Sequence, residues 1–182
     1  MAQYRKAVTS PRGLPMKVTT FTLAIVANLI ASGILAAEID VQHADLKIAL
    51  PDQPTKDVAK IGGEDGTEPS LQHRLIINKL NGSIIVWYQD SPGITDPEPA
   101  LQAARDSVVR TAGGEVSFEK NITKQTHPGR YFIVSIPEKD GEFRVAYFFA
   151  NRRFYQIMAV GTKDFTRSEA TNKMFQSAKF FQ

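Results

Sequence analysis

The chain has 182 residues, 42% of them hydrophobic, which is enough for one domain with a full core and too few for two of ordinary size. Its net charge of +3 invites a nucleic-acid partner, but residues 1 to 37 hold four basic residues and no acidic one. The remainder carries one more acid than base, so the charge excludes a basic, nucleic-acid-binding domain. The absence of cysteine excludes disulfides, thiol catalysis, thiolate metal sites and a lipoprotein anchor.

In chain order, residues 1 to 37 read as an export signal: Arg5, Lys6, Arg12 and Lys17, an apolar stretch from Val18 to Leu35, then Ala36-Ala37 before Glu38. Small residues at that point suit signal peptidase. An uncleaved anchor over residues 18 to 37 is the competing reading, since that stretch is about long enough to span a bilayer. Met16 is an alternative start to Met1.

Residues 38 to 182 read as one domain. Leu46, Ile48 and Leu50 alternate with Lys47 and Ala49 and stop at Pro51, as a half-buried strand does. Residues 51 to 70 hold Pro54, Gly62, Gly63, Gly66 and Pro69 with little to bury, and are expected as an exposed loop. Asn81-Gly82 between two apolar runs predicts a type I′ hairpin, with Ile77 facing Val86 and Ile76 facing Trp87. Leu101, Ala104, Val108 and Ala112 form a helical stripe that Thr95 or Asp96 would cap and Gly113-Gly114 would stop. A strand with Val116, Phe118 and Lys120 on one side follows, and His127-Pro128-Gly129 is expected as a loop.

Three apolar runs come next, Tyr131 to Ile136, Phe143 to Ala150 and Phe154 to Val160, separated by Asp140-Gly141 and Asn151-Arg152. They predict an antiparallel meander, with Phe149 opposite Phe154, Tyr147 opposite Gln156 and Val145 opposite Met158. Both faces are apolar, so both need a cover. A second helix over residues 166 to 178, with Phe180 and Phe181 closing onto the core, completes the chain. The expected architecture is α+β: one antiparallel sheet with helices packed on its faces.

Ala112-Gly113-Gly114, His127-Pro128-Gly129-Arg130, the run from Ala150 to Gln156 and the run from Met174 to Phe180 together resemble PsbP-like exported bacterial domains. The resemblance spans residues 112 to 180. It implies an antiparallel sheet covered by helices and a role as an extrinsic subunit, assembly factor or binding module, with no functional residue to carry over.

Side-chain chemistry is sparse. His43, His73 and His127 are far apart and lack metal-ligand spacing, so no metal residue is assigned. No nucleophile elbow or phosphate loop is present, and Gly113-Gly114 follows a helix as a stop does. Glu64-Asp65 and Asp140 with Glu142 lie in polar breaks and are expected to be solvated. Trp87, Tyr88, Phe148, Phe149, Phe154 and Tyr155 are expected in the core, and Arg152-Arg153 at a hairpin tip is expected as exposed turn charge that keeps the chain soluble, with a grip for an anionic partner as the alternative. The expected function is a non-catalytic exported binding or assembly module, monomeric, whose partner is a protein or an envelope component and not nucleic acid. No catalytic residue, cofactor or metal is assigned. The alternative is a small enzyme or ligand binder with a loop-built site near His127 and Arg130, beside residues 51 to 70.

Overall fold

Asn151 and Arg152 both adopt left-handed backbone, with φ of 50° and 62°, which makes their two-residue link a type I′ turn whose twist matches that of the strands it joins. It connects β8 (Gly141–Ala150) to β9 (Arg153–Thr162), and Phe149 faces Phe154, Tyr147 faces Gln156 and Val145 faces Met158, as expected. The computed structural model describes residues 38–62, 68–136 and 140–181, all within one compact unit, Leu35–Gln182. The expected export signal and its anchor alternative lie outside them. Among the described residues no helix is long and apolar enough to cross a membrane.

A seven-stranded antiparallel sheet is built around that hairpin. From one edge to the other it runs β3 (Thr55–Ile61), β4 (Ser70–Lys79), β5 (Gly82–Asp90), β9, β8, β7 (His127–Ile136) and β6 (Glu115–Lys124). One face buries Phe132, Val134, Val145, Tyr147 and Phe154 against Leu101 of α1 (Pro97–Ala112). Full burial of Leu101 contributes about 2 kcal/mol. Asp96 caps this helix by accepting the Glu98 amide, and Gly113 ends it at φ 60°. The opposite face buries Leu75, Ile77, Ile84, Val86, Ala146, Phe148, Tyr155, Ile157 and Ala159. Its cover is a second antiparallel sheet of β1 (Ile39–His43), β2 (Leu46–Leu50) and β10 (Lys179–Phe180). The short α2 (Lys163–Thr166) and α3 (Glu169–Ser177) lie beside it.

The expected α+β class is therefore corrected. With ten strands and three helices among the described residues, the architecture is β-rich, and sheet covers much of what helices were expected to cover. Three strands went unforeseen. β3 occupies part of the expected loop because an edge strand paired on one side needs few buried side chains, and all but one of its residues are exposed. β1 and β10 are short and stabilised by β2, whose Leu46, Ile48 and Leu50 are fully buried. His127-Pro128-Gly129 also belongs to a strand, and Gln125 at φ 57° supplies the turn before it.

The Asn81-Gly82 hairpin forms in another register. Lys79 pairs with Gly82, so Leu80 and Asn81 are the loop residues, Ile77 faces Ile84 and Ile76 faces Ile85. None of Leu80, Asn81 and Gly82 has positive φ, so the turn is not type I′. Gly82 is needed for space: a Cβ there would strike the Val160 carbonyl oxygen and the Phe165 ring.

Candidate functional site

A β-bulge between Val116 and Phe118 decides which face β6 presents. Val116 pairs with Val134 and joins the face under α1, whereas two residues later Phe118 pairs with Ile133, only one residue along β7, and points to the other side. The extra residue re-aims everything after it. Phe118, Lys120, Ile122 and Lys124 thus project on the face opposite α1, across from Ile133, Tyr131, Gly129 and His127. The expected alternation, which put Val116 with Phe118 and Lys120, is corrected by this bulge.

With β7, β8 and α3, these residues form an open groove of about 530 Å³, within the range of small-molecule sites. Its floor follows from strand register. Phe118, Ile133 and Arg144 lie in one row, Lys120, Tyr131 and Ala146 in the next, and Ile122, Gly129 and Phe148 in the third. Ala146 has almost no side chain, so the floor dips there, whereas the space above Gly129 is taken by the Phe148 ring, 2.6 Å from where a Cβ would sit. Phe175 and Gln176 of α3 form one wall.

Three cations and no carboxylate line the groove. The Arg144 Nε donates to the Tyr131 hydroxyl at 2.8 Å, and Nη1 donates to the Thr166 carbonyl and the Asn172 Oδ1, each at 2.7 Å. These bonds hold the guanidinium 5.8 Å from the Tyr131 ring centroid and 5.2 Å from that of Phe175. Lys120 Nζ lies 5.9 Å from the Phe118 centroid and 5.8 Å from that of Tyr131. Lys124 Nζ donates to the Gln176 carbonyl at 2.8 Å. Burial, then the charge of Lys179, pushes the Lys124 ammonium below its ordinary pKa. Among the described residues none of Lys120, Lys124 and Arg144 has a carboxylate in salt-bridge range. The arrangement offers apolar contacts to a ligand and positive charge to an anion, with Arg144 also acting on the buried Glu142.

Other polar residues are placed differently from expectation. His127 packs edge-on to Phe180 at 5.2 Å on the groove side. Arg130 pairs with Asn121 in the ladder, points to the α1 face and is 6% exposed, bonded to Glu98, Gln102 and Glu119. Strand alternation separates the two, and β3 lies at the far edge of the sheet, so among the described residues the expected grouping of His127 and Arg130 beside residues 51 to 70 is not brought together. The fold does bring His43 to His73: a His43 ring N–H donates to the His73 carbonyl at 2.9 Å, and the Tyr88 ring contacts both imidazoles. Arg153, expected as exposed turn charge with an anion grip as the alternative, donates to Asp45 and Asp90 at 2.7 Å each. Arg152 stays exposed at the turn, donating to the Pro92 carbonyl. Glu142, expected in solvent, is fully buried and accepts from Thr166 and Arg167. Among the described residues no group of three or more His, Asp or Glu side chains is placed to hold a metal ion.

The chain matches no protein-family model, and no curated protein matches it. Among solved structures it is similar to a protein of unknown function from Pseudomonas aeruginosa, with a TM-score of 0.36 and 9% identity over 71% of this chain and 85% of that one. A likeness at that level carries no argument about fold or activity. The groove is therefore read from its own chemistry.

Proposed function

We propose that this protein is an exported, non-catalytic binding module that takes an apolar envelope component into the groove between β6, β7, β8 and α3. One observation carries the reading: an aromatic-lined depression of about 530 Å³ opens on the sheet face, and no carboxylate lines it. Phe118 at its rim is 46% exposed, an aromatic side chain left without a cover by the chain itself. The PsbP-like resemblance over residues 112 to 180 is compatible with a binding role and supplies no site of its own.

The test uses protein purified from its native host. Denaturing extraction followed by mass spectrometry is expected to release an apolar species of low mass at near one equivalent. The Phe118→Glu variant, altered at an exposed position, is expected to lose it while keeping native circular dichroism. Equal recovery from both proteins, or none from either, would contradict the proposal. The same preparation tests export, since the mature mass should correspond to a start at Ala37 or Glu38.

A further inference from the structure

Resting on that reading, we propose that the occupant carries a single carboxylate, seated between Lys120 and Arg144 beside Tyr131, with one unbranched apolar chain running over Ala146 towards Ile122 and Phe148. The two cations reach the same ring from opposite sides. Lys120 lies on β6 and Arg144 on β8, with β7 between them, and each charged end is 5.8 Å from the Tyr131 centroid. No carboxylate lines the groove between them; Arg144 acts on the buried Glu142 of its own strand, and Lys120 is exposed to water. A ligand anion seated there meets positive charge on both sides.

The hydrogen-bond inventory gives the valence of that anion. Arg144 directs Nε and Nη1 into the protein, which leaves Nη2 without an acceptor among the described residues, and the Lys120 ammonium has no hydrogen-bond partner among them. One donor group on each side matches the two oxygens of a carboxylate. Arg144 cannot offer the two-nitrogen fork that a phosphate dianion prefers, because Nη1 already serves Thr166 and Asn172. The chain path follows from the floor. The third row, Ile122, Gly129 and Phe148, is apolar throughout, and Phe175 stands against Tyr131 and Arg144 in the rows before it. The groove lies in the lower half of the ordinary size range for small-molecule sites, which suits one chain better than two.

Calorimetric titration of the lipid-stripped protein separates the two levels of this account. The probes are decanoate, decanol, decyl phosphate, decyltrimethylammonium and acetate, each as a monomer in solution. Decanoate is expected to bind at one site at least roughly tenfold more tightly than decanol, as a charge-assisted hydrogen bond requires, with acetate and the ammonium compound not bound. Lys120→Gln should weaken decanoate by a similar factor and leave decanol unchanged, and Lys120→Arg should restore it. Decanoate and decanol binding equally would overturn the carboxylate inference and leave the groove reading standing. Decyl phosphate binding more tightly than decanoate would replace the carboxylate with a phosphate. If no ten-carbon probe bound at all, both readings would fall together.

Discussion

Arg144 donates to the Tyr131 hydroxyl at 2.8 Å, a bond from β8 to β7 that fixes the one guanidinium of the groove. Tyr131→Phe keeps the ring and removes this acceptor. It is expected to cost about 1 kcal/mol in urea unfolding and to weaken decanoate several-fold with decanol unaffected. Unchanged decanoate binding would show that Arg144 is positioned by Thr166 and Asn172 alone.

Gly82 and Gly161 face each other across β5 and β9, and a Cβ on either would run into backbone, Val160 O for the first and Asn81 O for the second. Gly82→Val should therefore destabilise by about 1 to 3 kcal/mol through overpacking. The same substitution at Gly93, where nothing lies near the added Cβ, should cost little. Equal thermal midpoints for the two variants would contradict the close approach.

Arg130 is buried between α1 and the sheet, joined to Glu98, Gln102 and Glu119, while Arg105 also donates to Glu119 at 2.9 Å. Since Glu98 is more than half exposed, the network is discounted from the fully buried case. Arg130→Gln is expected to cost about 1 to 3 kcal/mol and to leave decanoate binding unchanged, because the groove is on the other face. A loss of binding at unchanged stability would place the site under α1 instead.

Stability should fall in acid in two stages. Burial, only partly offset by the bond to the His73 carbonyl and reinforced by the His73 and Lys56 charges, holds His43 below its ordinary 6.5. The unfolded chain then binds this proton first, so the contribution is full above about 6.5 and is lost as pH falls below it. For Glu142, desolvation pulls its carboxyl up, but bonds from Arg167 and Thr166 outweigh that and hold it below its ordinary 4.5. Its contribution is full above about 4.5 and disappears as pH falls further. His43→Gln should flatten the first decline and Glu142→Gln the second, read from urea midpoints between pH 3 and 8. Parallel curves for wild type and both variants would contradict the assignment.

The meander and α1 were legible because their signals are local. Asn151-Arg152 fixes a two-residue turn, and Leu101, Ala104 and Val108 keep one helical face. β1, β3 and β10 were not, because an edge strand's pairing comes from its neighbour and leaves little trace in its own side chains. The Asn81-Gly82 register differs from the expected one because Gly82 answers a demand for space from Val160 and Phe165, which lie 78 and 83 residues away. The groove was not read from the sequence. Arg144 inside an apolar run and lysines alternating with Phe118 and Ile122 are the signals that point to it, but the bulge at residues 116 to 118 decides that they meet, and no residue type announces it. Deleting Ser117, the extra residue, should leave Val116 opposite Val134 and Phe118 opposite Ile133 and so keep decanoate binding, checked by the same titration.

The most direct test of the groove reading is methyl-resolved NMR of the isoleucines and methionines during titration with decanoate. Ile122 and Ile133 line the groove, whereas a smaller hollow of about 240 Å³ under α1 is lined by Val108, Phe143, Tyr147, Gln156 and Met158. The account predicts saturable shifts at the Ile122 and Ile133 methyls with Met158 unmoved; shifts confined to Met158, or none at all, would contradict it.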